Sequence, residues 1–411
     1  MIGGTITFSA TALQVIAVSL SSEVAAPLGS ALSCQKKTQV LPDKGIVDER
    51  PEARESDQMQ TRGTNNSNPL SVVQMLLVVF WSMTGTAVVD PATPPMSPTN
   101  IFAPASTPAR SIFGLSLFVL AVTGAIFIVV FTLLVYTIAK FRRRNNDDGR
   151  EPPQVYGSNQ VELAWTIIPI LIVVALFMAT ARVIALVQRT SPPSNAIAVT
   201  AIGHQFWWEY RYPGLGVVTA NELHLPVSDA VHPTPTFIQL LSVDTDHSFW
   251  IPRLGGKTDL IPNHPNTMWI DPQETGVYLG QCAQYCGTQH AKMLLRVYVQ
   301  SKDEFDRWIE QQRQPAVVNE AVSQGQQIFE TTACVNCHTV SGTVANGRFG
   351  PDLTHLMSRD TIAAGAATNT SENLRLWIRN PDAIKPGSLM PAMQLSEQQL
   401  DLLTAYLETL R

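Results

Sequence analysis

Two long apolar runs, Phe113 to Ala139 and Leu163 to Val187, constrain this chain more than any other feature of its 411 residues. Each exceeds the ~20 residues that an α-helix needs to cross a bilayer, so the sequence predicts two membrane-spanning helices paired as a hairpin. Basic residues set the direction. Lys140, Arg142, Arg143, Arg144 and Arg150 lie between the runs, whereas the outer ends carry only Arg110, Arg182 and Arg189. The bias of Lys and Arg toward the inner face places the connecting loop in the cytoplasm and everything after Arg189 outside it. Composition agrees: 45% hydrophobic against 15% charged residues leans toward a membrane protein, and a net charge of -5 makes no case for nucleic acid.

The region before the first span, 1 to 109, holds no folded domain. Positions 1 to 33 are apolar and small but lack the Lys or Arg of a secretory n-region, and a weak lipobox-like Ala31-Leu-Ser-Cys34 follows. Gln35 to Asn68 is polar, charged and without period, which reads as disorder. Arg62 followed by the apolar run Leu70 to Val89, with small residues at Gly85-Thr-Ala87, is the better signal peptide. Translation starting near Met59 is therefore expected, a genuine N-terminal extension being the alternative. Asp90 to Pro108 is a Pro-, Ser- and Thr-rich spacer.

Beyond the hairpin (110 to 190), short β-rich runs alternate with turn residues: Ile197 to Ile202, Phe237 to Val243, Met268 to Ile270, Val277 to Gln281 and Leu294 to Val299. The pattern predicts a small antiparallel sandwich over 191 to 315. Between the last two runs lies Gly280-Gln-Cys-Ala-Gln-Tyr-Cys-Gly-Thr-Gln-His-Ala-Lys-Met293, a C-x3-C-x3-H-x2-M spacing. Thiolates, an imidazole and a weak thioether together select copper. A one-copper site needs one cysteine, so Cys282 and Cys286 suggest two coppers sharing bridging thiolates. His290, Met293 and the distant His247, in Ser242-Val-Asp-Thr-Asp-His-Ser-Phe-Trp-Ile-Pro252, complete the set. A disulfide between cysteines four apart on a tight loop is awkward, and zinc seldom recruits methionine. The other histidines, His204, His224, His232 and His264, lack spaced partners and read as ordinary surface or core residues.

Ser301 to Pro315 reads as a polar helix closing that domain, and a second module, 316 to 411, follows. Cys334-Val-Asn-Cys-His338 is the c-type haem attachment sequence, in which two thiols bond the porphyrin and the next imidazole reaches the iron. No second cysteine pair follows to make a zinc site. Lys385-Pro-Gly-Ser-Leu-Met-Pro391 offers Met390 as a distal ligand after a stiff turn, with Met393 and His355 as alternatives. The last helix opens with Ser396-Glu-Gln-Gln399, a capping box, and sets Leu400, Leu403 and Leu407 on one face, with Tyr406 close by.

With these motifs in this order, residues 110 to 315 resemble subunit II of the haem–copper cytochrome c oxidases, and 317 to 411 resemble the class I cytochromes c. The resemblance implies a membrane-anchored multidomain protein: a two-helix transmembrane hairpin, an all-β cupredoxin-like sandwich, then an all-α cytochrome c domain. It implies a dinuclear copper A centre with His247 and His290 as terminal ligands, Cys282 and Cys286 as bridges, Met293 as a weak ligand and the Gln284 carbonyl as the last. It also implies covalent haem c on Cys334 and Cys337, with His338 and Met390 on the iron; Gly325-Gln-Gln-Ile-Phe329 matches that family's N-terminal helix contact and Gly350-Pro351 the segment that orients the proximal imidazole. Glu162, in Val161-Glu-Leu-Ala-Trp-Thr-Ile-Ile-Pro169, matches the glutamate at the mouth of a proton channel into subunit I; a solvated helix-terminal carboxylate is the plainer alternative.

Two positions depart from the family. Gln284 replaces a glutamate whose side chain helps hold magnesium, and an amide is a poorer ligand for a hard cation. In Gly203-His-Gln-Phe-Trp-Trp-Glu-Tyr-Arg-Tyr212, Phe206 stands where the electron-receiving tryptophan usually is; Phe206, Trp207 and Trp208 are the candidate gateway, unless the stripe is simply core. The resemblance further implies a bacterial inner membrane, copper and haem on the periplasmic side, partners in subunits I and III, and a cytochrome c or quinol-oxidising complex as donor, the dioxygen site lying in the partner. The electron-receiving subunit of a copper A nitric oxide reductase and a membrane-anchored copper chaperone remain alternatives. A nitrous oxide reductase would need a large histidine-rich domain for which there is no room.

Overall fold

The computed structural model describes residues 99–411, except 143–150, 152, 155, 189–190, 193, 230–232 and 318. The signal, start-site and Cys34 expectations, the spacer up to 98, His232, and Arg143, Arg144, Arg150 and Arg189 lie outside the described residues.

Helix α1 (Thr107–Lys140) and helix α2 (Asn159–Val187) are both long and apolar enough to cross a membrane, and they pack against each other. Helix α1 begins at Ser106, whose Oγ accepts from the Ala109 amide, with Pro108 in the first turn where its missing N–H costs nothing. It ends on Lys140, whose Nζ donates to the Tyr136 hydroxyl at 2.6 Å. At 34 residues it is about 50 Å long, more than one hydrocarbon core. Glu162 sits exposed in the first turn of α2.

The segment before α1 is threaded into the sandwich that follows α2. Ala105 donates its amide to the Arg253 carbonyl (2.8 Å) and accepts from the Gln273 amide (3.0 Å). The Ser106 hydroxyl donates to the Leu254 carbonyl, and Thr107 donates to Asp271 through its amide (2.7 Å) and its hydroxyl (2.5 Å).

Ten strands form two five-stranded sheets: β1 (Ile197–His204), β2 (Trp207–Tyr212), β3 (Val217–Ala220), β4 (Glu222–Pro226), β5 (Thr236–Ser242), β6 (His247–Trp250), β7 (Thr258–Leu260), β8 (Asn266–Ile270), β9 (Gly276–Cys282) and β10 (Leu294–Gln300). One sheet runs β3-β2-β1-β5-β8 and the other β4-β10-β9-β6-β7. The sandwich is as expected, but not purely antiparallel: β1 pairs with β5, and β4 with β10, in parallel. Five of the strands, β2, β3, β4, β6 and β7, were not among the runs picked out by β-rich composition. Strand β10 shows the alternation that composition does reveal, every second residue buried, whereas β4 is buried along its whole length and has no period to read.

Helix α3 (Lys302–Gln312), started by a Ser301/Glu304 capping box, lays Phe305, Trp308 and Ile309 over β3, β4 and β10. There His224 is sandwiched between Tyr298 and Trp308, ring centroids 4.8 and 4.1 Å away. Burial pulls its imidazole down to about 4, so it is neutral at neutral pH.

The C-terminal module is built from α4 (Ser323–Thr331), α5 (Cys334–Cys337), α6 (Ser371–Arg379), α7 (Pro381–Ile384) and α8 (Glu397–Leu407), with one two-residue ladder between β11 (Thr361–Ile362) and β12 (Ala367–Thr368). Helices α4 and α8 cross at Gly325, where a Cβ would lie 2.1 Å from the Leu402 carbonyl oxygen. Close approach there needs glycine. The Ser396 capping box is present, and Leu400, Leu403, Tyr406 and Leu407 are buried.

Candidate functional site

Strand pairing assembles the first donor set. Phe249 of β6 lies opposite Cys282 at the end of β9; since alternate residues share a face, His247 points the same way as Phe249. Two glycines make room. A Cβ at Gly203 would sit 2.7 Å from the His247 ring, and one at Gly280 only 2.5 Å from the Trp250 carbonyl oxygen. The loop after β9 folds back so that the Cys282 amide donates to the Met293 carbonyl (3.0 Å), and a 3-10 turn at His290–Lys292 swings His290 and Met293 inward.

The six candidate ligands converge. The Cys282 and Cys286 sulfurs are 3.9 Å apart, far beyond the ~2.05 Å of a disulfide. His247 Nδ1 lies 3.9 Å from the Cys282 sulfur, His290 Nδ1 3.7 Å from that of Cys286, Met293 Sδ 3.8 Å from Cys286 Sγ, and the Gln284 carbonyl oxygen 3.1 Å from Cys282 Sγ. His247, Cys282, Cys286 and Met293 are buried. The Cys282–Cys286 hydrogen bond holds the Cys282 thiol well below the usual thiol range, aided by His247, and the same bond, with burial, pushes Cys286 up. One proton shared by two sulfurs is what a soft cation displaces. The donor set therefore fits copper.

One residue of this site escaped the sequence reading. Asp244 accepts from His247 Nε2 at 2.8 Å and from the Gln205 amide at 2.6 Å. Burial alone would lower the His247 imidazole, but the Asp244 carboxylate and the Cys282 sulfur outweigh it and raise the pKa. A carboxylate on the far ring nitrogen fixes the tautomer of a metal-binding histidine. Its place three residues before His247 was the available signal.

The second donor set lines a cavity in the C-terminal module walled mainly by apolar side chains. Cys334, Cys337, His338 and Met390 all border it, and so does Met393. His338 Nδ1 donates to the Pro351 carbonyl at 2.8 Å, leaving Nε2 as its free donor nitrogen. Gly350 lies flat under that ring, a Cβ there being 2.6 Å from Cε1. Arg359 is buried at the cavity wall with its Nε unpartnered, a donor suited to an acidic side arm of a porphyrin. The thiol pair, the imidazole with its free nitrogen and the unpartnered Nε of Arg359 in an apolar cavity fit haem. His355 is no iron ligand: it is buried outside the cavity wall, Nε2 donating to the Gln314 carbonyl at 3.0 Å. Nor is it the exposed loop histidine that the sequence suggested.

The two sites share a wall. Gln205, Phe206, Trp207 and Asn221 of the sandwich complete the haem cavity, while the Phe206 ring also lies 3.0 Å from where a Gly287 Cβ would stand on the copper loop. Trp207 stacks on His204 (4.1 Å), which bonds Glu209. Trp208 is fully buried, edge-on to Phe249 at 5.4 Å, so it forms no part of a surface. Around this wall the modules are stitched together: Glu222 accepts from the Asp360 and Thr361 amides and the Thr361 hydroxyl (3.1, 2.9 and 2.8 Å), and the Tyr298 hydroxyl donates to Asp360 (2.5 Å). Gln289 donates to the Pro386 carbonyl (2.5 Å), Lys292 to that of Ile384 (2.7 Å), and the Leu294 amide to that of Ala364 (3.1 Å).

Known proteins are similar to this chain in sequence. Three family models match in order: cytochrome C oxidase subunit II, transmembrane domain (95–182); cytochrome C oxidase subunit II, periplasmic domain (197–300); and cytochrome c (322–411). The first two imply membrane anchoring and copper, the third haem. Cytochrome c oxidase subunit 2 of Alkalihalophilus pseudofirmus is 37% identical over 306 residues, 72% of this chain and 85% of that protein. That of Bacillus subtilis is 30% identical over 299 residues, 68% and 82% of the two chains. Among solved structures, the periplasmic domain of subunit II of cytochrome oxidase from Bradyrhizobium japonicum is 27% identical, with a TM-score of 0.28, covering 30% of this chain and 97% of that one. With two soft-donor sites behind a membrane hairpin, and relatives matched over most of their length, the chain belongs to the cytochrome c oxidase subunit II family, oxidoreductase subunits of the haem–copper oxidases.

Proposed function

We propose that this chain receives electrons at a covalently attached haem c and passes them through a dinuclear copper A centre to subunit I of a bacterial terminal oxidase, where dioxygen is reduced to water and protons are pumped. When bound, the haem and the copper pair each supply a one-electron couple whose ligands stay fixed through the change of valence. The chain's own residues do the rest. Cys334 and Cys337 would hold the porphyrin, His338 its iron with the Pro351 carbonyl fixing the ring, and Met390 the distal position. His247, Cys282, Gln284 through its carbonyl, Cys286, His290 and Met293 would hold copper, with Asp244 orienting His247. His247 and Cys282, buried on paired strands, resist rearrangement, which keeps the reorganisation on electron transfer small.

The observation that carries the reading is the shared wall: Phe206 borders the haem cavity and also lies against Gly287 of the copper loop. Phe206 and Trp207 are then an internal passage rather than a face offered to a separate donor, and a cytochrome c or quinol-oxidising complex would deliver to the C-terminal module. Glu162, exposed at the mouth of α2, would open the proton path in subunit I. Exposed Gln284 would serve by its carbonyl and leave the magnesium role weak. Residues 110–190 would anchor the subunit in the inner membrane beside subunits I and III, with 191–315 and 316–411 on the periplasmic side.

Metal content, optical spectrum and electron paramagnetic resonance of the full chain, matured with haem and loaded with copper, test this. A copper pair with a mixed-valence signal shared by both nuclei, beside a low-spin haem that empties into it after flash reduction, is expected. A single copper, or a haem that stays reduced while the copper site is oxidised, would overturn the reading.

A further inference from the structure

Lys385 opens the turn that leads to Met390, yet its ammonium reaches into the sandwich. Its Nζ donates to the carbonyls of Phe206 (2.7 Å), Lys292 (2.9 Å) and Ala363 (3.1 Å). An ammonium has three protons to give, and here each goes to a different segment: the shared wall, the copper loop beside Met293, and the C-terminal module. The side chain is only 3% exposed, and among the described residues no carboxylate pairs with it. Burial pulls the amine down to about 7. An unpaired buried cation is costly, and a contact surface needing only adhesion would be cheaper to build from apolar side chains. What three carbonyls on one nitrogen supply is position: segments from both modules are held within one side chain's reach.

We propose that Lys385 is a positioning residue for electron transfer, its ammonium clamping the Phe206 and Lys292 carbonyls to that of Ala363 and so fixing the gap between the haem cavity and the copper loop. The proposal rests on the reading that electrons cross that gap within this chain. The bonds from Gln289 and Lys292 to the Pro386 and Ile384 carbonyls tie the same two modules, as do those of Glu222 to the Asp360 and Thr361 amides. The Lys385 ammonium bonds the shared wall, the copper loop and the C-terminal module at once.

The test uses the full chain, matured with haem and loaded with copper, as wild type and as Lys385→Met. Flash reduction of the haem followed by the copper absorption reads the transfer step; stopped-flow reduction of the haem by a soluble donor reads the step before it. Lys385→Met should slow haem-to-copper transfer on the order of tenfold or more and make it viscosity-dependent, because the modules must now find their alignment each time. Donor-to-haem reduction, the haem spectrum and the copper resonance should be unchanged. Amide hydrogen exchange on the metal-free chain should quicken at 203–207 and 290–294 and stay constant in the core of α8.

Transfer and exchange both at wild-type values would overturn the proposal. So would slower transfer with unchanged exchange and no viscosity dependence. Where Lys385→Met fails to take up haem or copper, Lys385→Gln, which keeps two donors, is held to the same criteria and should show a smaller shift in the same direction. Copper in the wild type reduced without passing through the haem is a distinct outcome: it sinks the electron route itself, while faster exchange in the variant would still mark Lys385 as a docking contact.

Discussion

The two cofactor sites of this chain are built in opposite ways. At the copper loop the chain's own atoms are the coordination sphere: five of six candidate ligands fall within Cys282 to Met293, and strand pairing brings the sixth, His247, to within 3.9 Å of Cys282. At the haem cavity the donors are few and the walls many, drawn from residues between Gln205 and Leu407 and from both modules. A small ion is held by a loop, a large planar one by a fold. The first kind of site is tuned by a few neighbours such as Asp244; the second depends on how whole elements pack.

Substitutions can break that contrast or sharpen it. The largest effects lie in the donors: Cys282→Ser should abolish the shared copper resonance with the haem spectrum intact, and Met390→Ala should remove the methionine-ligated haem spectrum, with copper content unchanged, while Met393→Ala leaves both. Loss of that spectrum in Met393→Ala alone would exchange the two methionines' roles.

Next comes acid. His224 titrates at about 4 in the folded sandwich against 6.5 unfolded, so the unfolded state binds a proton that the folded state refuses. Stability contributed by the neutral ring is present above pH 6.5 and is lost as pH falls toward 4, by about 3 kcal/mol in all. Thermal melts from pH 7 to 4 should show the sandwich transition falling faster than that of the haem module. In His224→Gln the difference in slope should shrink, and an unchanged slope would refute this origin.

His247 and His338 each rest on a glycine, which allows a matched pair. Gly203→Ala should crowd His247 and lower copper retention, and Gly350→Ala should crowd His338 and disturb only the haem, each costing about 1–3 kcal/mol of local stability. Cross-effects of similar size would mean that the two sites are less separate than their construction suggests. Smallest, Asp244→Asn should weaken copper binding on the order of ten- to a hundredfold with His247 still in place, measured by competition with a chelator.

What the sequence made legible follows from the same contrast. The donors from Cys282 to Met293 and the Cys334-Val-Asn-Cys-His338 stretch are short local patterns with fixed spacing, and the two spans are long apolar runs, so each is readable without tertiary information. Strand β4 was hidden because it is buried on every side, and β2 because its aromatic run was read as a docking surface; its Trp208, Tyr210 and Tyr212 are fully buried. The parallel pairings of β1 with β5 and β4 with β10 depend on which distant strand arrives alongside, something no local period encodes. Asp244 and Lys385 were overlooked for one reason: each acts through a partner's position, not through a donor spacing of its own.

The clip formed by Ala105, Ser106 and Thr107 on one side of the hairpin and Arg253, Leu254, Asp271 and Gln273 on the other has a topological consequence. It joins the stretch before the first span to the domain after the second, so both outer ends of the hairpin are fastened at the same membrane face. Once it closes, the Lys140 end of α1 and the Asn159 end of α2 point away from the clip, and reversing the anchor would require the sandwich to release a main-chain strap first. An orientation chosen during insertion by a bias of charge would thereafter be kept by a knot of hydrogen bonds that no bilayer potential has to maintain.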